Sequence, residues 1–476
     1  MKRKHVLEVL DKIDDKYIEE AEKAPKKMKK KAFWIGAVAA VLAVVVCISS
    51  FFNTTMITAK AIALPGDARI MEHPDLDNYK DRESYLADVE IWEAETESRR
   101  TTRKNVSDTL SPFFTRASAE FLVSQNGENT LWSPINAYIG LGMLAEITDG
   151  DSRKEILDLF GVKDVETLRS QVSAVWESVY TDDGNEISTL ANSLWLQDGL
   201  NYNQDTINNL AYHYYASVYQ CKLGNDSSNK AIGKWLDDNT GGLLKDSTDK
   251  IDLSPDTVLA LYSTLFFQAK WSDEFDEKNN TDGIFYGING NTNVTYMNKK
   301  LSQMYYYWHE DFSAVGLSIK NGSTMWFILP DERKTTADIL NDGAYVKLIS
   351  SGNTEDGWQN KKYMKVNLSI PKFDISSTLN LKDGLNRMGV TKVFDIKSSD
   401  FTAITSDTPV YVSAVNQSAR VEIDEKGVKA ATYIELPGNG SAMPPEEIID
   451  FILEKPFVFV ISKNNLPLFT GVVNVA

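Results

Sequence analysis

VEIDEKGVKAATYIELPGNGSAMPP, residues 421–445, joins two kinds of chain in one run. RVEID, ending at Asp424, reads as a strand. After Gly427 a period-two pattern sets Val428, Ala430, Thr432, Ile434 and Leu436 on one face, all small or apolar. Lys429, Ala431, Tyr433 and Glu435 fall on the other. From Pro437 the composition turns to Gly, Asn, Ser and Pro, which is that of an exposed loop. Taken alone, this is an ordinary half-buried strand running into a loop.

Working outward, the neighbours on both sides are β-rich. TVLALYSTLFF (257–267), GSTMWFILP (322–330), KVNLSIPKF (365–373), PVYVSAV (409–415) and FVFVISK (457–463) are short apolar or alternating runs bounded by turn residues. Further upstream the period lengthens. Leu110, Phe114, Ala117, Phe121 and Leu122 recur at helical spacing, and Ile139 to Leu144 continue into another helix. Helices lead and strands follow, so 106–476 reads as one α+β domain with mainly antiparallel sheets and no internal repeat.

The chain has 476 residues with 42% apolar, 20 Phe and 10 Trp, enough to build a sizeable core and to exclude wholesale disorder. Cys47 and Cys221 give no disulfide framework and no CxxC. His5, His73, His213 and His309 are scattered, without HExxH or paired spacing, so neither a metal nor any other cofactor is expected from the sequence. A net charge of −17 argues against nucleic acid as a partner. The charge is uneven: residues 1–33 hold eleven Lys/Arg against seven Asp/Glu, net +4, which leaves −21 on the rest.

That basic excess abuts Ala32–Phe52, 21 residues without a charge. At about 1.5 Å per residue they reach roughly 31 Å as a helix, the depth of a bilayer core. Lys26, Lys27, Lys29, Lys30 and Lys31 stand directly before it, which orients the N-terminus to the cytoplasm and the C-terminal part outside. The expectation is therefore a charged cytoplasmic segment (1–31), a single transmembrane helix (32–52), an extracellular linker, partly helical (53–105), and an exported domain (106–476). A cleaved signal peptide, using the small residues Ala59 and Ala61 and releasing a secreted protein, is the competing reading. Such an arrangement suits a bacterial envelope protein.

NTLWSP (129–134) followed by LGMLAEITDGDSRKEILDLFG (141–161) closely resembles the start of a serpin, in which N-x-x-x-S-P precedes a buried helix. Further matches follow in serpin order: ANSLWLQ (191–197), FFQAKWSDEFD (266–276), WFILPDE (326–332), IPKFDI (370–375), MGVTKVF (388–394), SDFTAIT (399–405), VEIDEKGVKAAT (421–432), EKPFVFVIS (454–462) and LFTGVVN (468–474). The resemblance covers about 370 residues. It implies the serpin fold: a large antiparallel-rich main sheet, two smaller sheets, about eight to nine helices and an exposed reactive-centre loop.

It also implies a mechanism. In serpins the loop is protease bait, and after cleavage its N-terminal part inserts into the main sheet as an extra strand, carrying the covalently acylated protease with it. Insertion requires a mobile start, small early side chains and alternate burial. Glu425, Gly427, Val428, Ala430 and Ala431 match the hinge, and Thr432, Ile434 and Leu436 continue the inserting face. Counting by the family's usual loop length puts the reactive bond at Ser441–Ala442, with Asn439, Gly440 and Met443 as neighbouring alternatives. No Lys or Arg occurs between Lys429 and Lys455, so the implied partner is a serine protease with a small or permissive primary pocket, elastase-like or subtilisin-like. A papain-like cysteine protease, and a non-inhibitory binding or scaffold role, are the alternatives. The protein reads as a monomeric inhibitor and not an enzyme.

Two departures bear on the control region beneath the sheet, the shutter. Where the family pairs an asparagine with a histidine, matching segments place Ser263 and Gln417, with Ser133 retained and Asn136 at a common serine position. A rewired, non-titrating network is one reading, and a buried amide without a switching role is the other. Trp271 stands at the breach, where the loop first enters the sheet, and Ala269 replaces a usual glycine.

Overall fold

The computed structural model describes residues 59–66, 74, 79, 81–123, 127–182, 186–243, 245, 251–351, 357–428 and 447–476, all within one compact unit, Thr58–Ala476. The apolar run 32–52, its charged preamble 1–31 and the loop 429–446 lie outside the described residues. Among the described residues no helix is long and apolar enough to cross a membrane.

The chain opens with β1 (Ala59–Ala63), α1 (Arg82–Leu122), β2 (Thr130–Trp132), α2 (Pro134–Ile147), α3 (Gly150–Phe160) and α4 (Val165–Val179). It continues through β3 (Thr181–Asp182), β4 (Glu186–Gln197), α5 (Gln204–His213), β5 (Ala216–Cys221), α6 (Asp226–Asn239) and β6 (Leu259–Lys270). Next come β7 (Thr281–Gly287), β8 (Gly290–Trp308), β9 (Phe312–Ser318), β10 (Ser323–Pro330), α7 (Thr336–Asp342) and α8 (Ala344–Ser351). The C-terminal part is β11 (Lys361–Pro371), β12 (Phe373–Asn380), α9 (Lys382–Arg387), β13 (Asn416–Ile423), β14 (Gly427–Val428), β15 (Ile448–Ile452), β16 (Phe457–Lys463) and β17 (Leu466–Val473).

Nine strands form one large sheet in the order β15-β11-β8-β9-β10-β16-β17-β2, with β7 on β8. A six-stranded sheet runs β1-β5-β4-β6-β14, with β3 on β4, and β12 and β13 pair by themselves. A parallel contact at β11–β15 makes the large sheet mixed, and one at β4–β5 does the same for the six-stranded sheet, where antiparallel strands dominate the sequence expectation. Nine α-helices fall among the described residues.

Two features explain how the sheets are held. PINAYIGLGMLAEI forms a helix apolar on every side, so α2 is buried almost throughout between sheet layers, and Ser133 caps it. Leu131 and Trp132, just before it, are fully buried on β2.

The segment read as a linker, 53–105, holds two ordered elements. AKAIA is short and nearly uncharged, and β1 pairs antiparallel with β5, from Ala59↔Cys221 to Ala63↔Val218, covering an edge that would otherwise stand open. The charge-dense run after it belongs to α1, which continues without a break past residue 105. Asp81 caps α1 by accepting a hydrogen bond from the Ser84 N–H at 2.8 Å. The C-terminal half docks Val106, Leu110, Phe114 and Ala117 in the core, and once that half is nucleated the polar half extends it at little cost.

Candidate functional site: a hinge beside an open strand edge

β13 runs up to Ile423 and the chain then reverses sharply. Asp424 makes the turn, its carboxylate accepting from the Lys426 and Gly427 N–H groups at 2.8 and 3.2 Å. Gly427 has φ +148°, and a Cβ there would stand 2.3 Å from the Ala269 carbonyl oxygen and 2.6 Å from the Lys270 Cα. Only glycine allows this backbone to lie against β6. The chain leaves the turn as β14, pairing Gly427↔Lys270 and Val428↔Ala269.

The turn is fastened on three sides. Trp271, 1% exposed, donates its indole N–H to the Asp424 carbonyl at 2.8 Å, and its own amide bonds Lys426 O at 3.2 Å. The Phe275 amide bonds Glu425 O at 2.9 Å. The Glu425 side chain, 5% exposed, receives the Lys372 ammonium and the Asn280 amide on the same oxygen, each at 2.5 Å. Burial works against this carboxylate, but the hydrogen bonds from Lys372 and Asn280 outweigh it and hold the carboxyl below its usual range.

Below the hinge the sheet stands open. Along β6 the edge facing away from β4 pairs only at Ala269 and Lys270, and β13 pairs only with β12 among the described residues. The two strands are bridged by the N-terminus of α2 instead. On one side Gln417 accepts from the Ser133 N–H at 2.7 Å and donates to Ser133 O at 3.0 Å. On the other, Asn136 donates to Ser263 O at 3.0 Å and accepts from the Ser263 hydroxyl. Ser133 Oγ accepts from the Asn136 N–H and donates to Leu468 O at 2.6 Å. Ser133, Asn136, Ser263 and Gln417 thus lie together as two pairs on one helix end: Gln417 bonds backbone and does not bond Ser263.

The structure describes the backbone of Glu425, Gly427 and Val428. Ala430, Ala431, Thr432, Ile434, Leu436, Ser441 and Ala442 fall outside the described residues. Sequence reasoning missed Lys372, Asn280 and Asp424, which fix the turn. It also missed a buried ion pair beside the hinge: Lys463 at the end of β16 donates to Glu186 and to Thr181, and Glu186 pairs in register with Ala269. A lysine and a glutamate closing apolar strands were the available signal.

A family model described as "Serpin (serine protease inhibitor)" matches residues 110–475. The alpha-1-antitrypsin-like protein GS55-MS of Ictidomys tridecemlineatus is 28% identical over 357 residues, 73% of this chain and 83% of its own length. Antichymotrypsin-2 of Bombyx mori is 25% identical over 76% of this chain and 95% of its own length. Among solved structures, tengpin, a thermophilic serpin in the native state, superposes with a TM-score of 0.69 at 22% identity, covering 88% of this chain and all of its own. Human thyroxine-binding globulin does so with 0.65 at 20% identity, covering 79% of this chain and 99% of its own.

Proposed function

The chain belongs to the serpin family, and from that premise we propose that it is a suicide-substrate inhibitor of an extracellular serine protease with a small or uncharged primary pocket. The observation that carries this reading is the open edge of β6 with a hinge paired at its upper end. A strand arriving from Gly427 has a slot to enter and a register to follow.

Continued down β6, that register takes Ala430 to Phe267, Thr432 to Leu265, Ile434 to Ser263 and Leu436 to Leu261. Ser263 bonds Asn136 on the buried helix α2, so these positions share the face turned toward the core. The small and apolar set of the loop therefore goes inward. Lys429, Tyr433 and Glu435 go to the opposite face. The fourteen residues from Val428 to Ser441 span about 46 Å as a strand at ~3.3 Å each, longer than the twelve residues of β6. Cleavage at Ser441–Ala442 would thus free enough chain to fill the slot, with the protease still acylated on Ser441. The absence of Lys and Arg between Lys429 and Lys455 favours an elastase-like or subtilisin-like target. Residues 32–52, as a single-pass anchor with the N-terminus inside, would hold the domain on the outer face of a membrane.

The test mixes the full chain, in detergent, with elastase-like, subtilisin-like, trypsin-like and papain-like proteases and resolves the products on a denaturing gel. A covalent complex with one of the first two, with loop cleavage between Asn439 and Met443, is expected. Cleavage without complex and without a rise in melting temperature would overturn insertion, and a complex with the papain-like enzyme alone would overturn the target class.

A further inference from the structure

The turn between β8 and β9 brings two metal-ligating side chains against a third at the end of α7, remote from the hinge in the fold's order. His309, Asp311 and Asp342 each offer a ligand atom, and the three atoms lie within 4.8 Å of one another. The group was invisible in the sequence because its only histidine has no paired partner there.

Each ligand is positioned for a reason unconnected with the others. The turn is closed by the His309 N–H bonding Phe312 O at 2.7 Å. It is anchored to the segment after β10 by the Asp331 N–H on Asp311 O at 3.0 Å. The His309 ring is stacked on Phe312 and packs against Trp358, with centroids 5.2 and 5.9 Å away, so its plane is fixed. Its Nδ1 atom is buried and has no hydrogen-bond partner among the described residues, and the nearest carboxylate oxygen, on Asp342, is 3.9 Å off. A buried ring nitrogen left without a partner is costly unless something else meets it. Asp311 is 6% exposed, and Asp342 stands at the open side.

A cation already answers this arrangement. Lys334 bends back from the turn at Arg333, whose φ is +65°, and sets its ammonium on Asp311. Glu310 and Asp338 add further carboxylates to the locality. Lys334 is partly exposed on a flexible stem, so it can leave.

We propose that His309, Asp311 and Asp342 form a binding site for a borderline divalent transition-metal ion, of which Zn²⁺ is the reference case, with the Lys334 ammonium as the competing resident. One imidazole nitrogen and two carboxylates are a zinc-type donor set, whereas Mg²⁺ and Ca²⁺ prefer oxygen alone. Bonds of about 2.0–2.2 Å require ligand atoms roughly 3.3–3.5 Å apart, so the group has to close by little more than 1 Å. Solvent takes the remaining coordination position. The ion would clamp the β8–β9 turn to α7, a role separate from the proposed inhibition.

The experiment titrates the metal-stripped full chain with ZnCl₂ by calorimetry, reading Trp358 fluorescence in parallel. One ion per site is expected, its affinity falling at least tenfold in His309→Gln and in Asp342→Asn and rising in Lys334→Met, with melting temperature increasing on saturation. Asp342 is exposed and its asparagine retains the cap to the Ala344 N–H, so that variant folds. Zn²⁺ affinity unchanged in both His309→Gln and Asp342→Asn, or absent from the unsubstituted chain and from Lys334→Met, would overturn the site.

Discussion

The two long edges of β6 are treated differently. Toward β4, eleven residue pairs run unbroken from Glu186↔Ala269 to Leu196↔Leu259. Toward β13, pairing stops after two. Backbone amides and carbonyls are obligatory hydrogen-bonding groups, so an edge left open inside a packed domain is an unspent source of stability. A strand laid into the slot would gain on the order of ten backbone bonds, each worth about 0.5–1.5 kcal/mol net. That sum rivals the total stability of an ordinary domain. The closed edge holds the fold, and the open edge sets how far the protein stands from a more stable state.

The comparison breaks most severely if the slot rejects the loop. Thr432→Arg sets a guanidinium against Leu265 on the core-facing side of the inserted strand, where an unpaired charge costs several kcal/mol. Covalent complex on a denaturing gel should fall at least tenfold while loop cleavage persists, turning inhibitor into substrate. Undiminished complex would mean the register does not continue from Gly427. Gly427→Ala comes next. Its Cβ would meet the Ala269 carbonyl at 2.3 Å in a backbone region closed to L side chains, so the two hinge pairs should be lost. A loss of about 2–3 kcal/mol in denaturant unfolding is expected.

Glu425→Gln sharpens the comparison at the upper end. It removes the charge that Lys372 and Asn280 hold, at a cost of about 1–2 kcal/mol once the solvent access of Lys372 is allowed for. The folded-state carboxyl sits below its ordinary value of 4.5, so the stabilisation is present at neutral pH and is lost as pH falls through the folded value. The melting temperatures of the unsubstituted and Glu425→Gln proteins should therefore differ at pH 7 and converge as pH falls through that lowered folded value. A constant gap would mean that the ion pair contributes nothing.

The fold was legible because its evidence is local and repeated: alternating strands, helical periods and eleven short segments in one order. The hinge was not legible from its own residues: a glycine followed by period-two small residues reads as an ordinary strand into a loop, and the resemblance alone marked it as a hinge. What holds the hinge was not legible either. Lys372 and Asn280 are unremarkable surface types in sequence, and only the fold carries them across 53 and 145 positions to Glu425. β1 was hidden for another reason: five residues of AKAIA are too few to show a period, and they become a strand only because β5 offers an edge. The open slot itself has no sequence signature, because it is a pairing that the chain withholds.

The smallest effect concerns the lower end of the slot, where a titrating residue has been avoided. Gln417 grips Ser133 through both its oxygen and its nitrogen, and neither ionises. Its grip on α2 is therefore independent of pH. Gln417→His keeps a group able to meet Ser133 O or N–H, but a neutral imidazole offers one donor and one acceptor in a different geometry, and its protonated form offers donors alone. The Ser133 N–H would lose its acceptor as the histidine protonates. Insertion followed by stopped-flow fluorescence between pH 5.5 and 7.5 should be flat in the unsubstituted chain, and Gln417→His should introduce a step of two- to fivefold near an ordinary histidine value of about 6.5. A step already present with Gln417 would locate pH control elsewhere, and its absence from Gln417→His would mean the lower bridge does not limit how the slot opens.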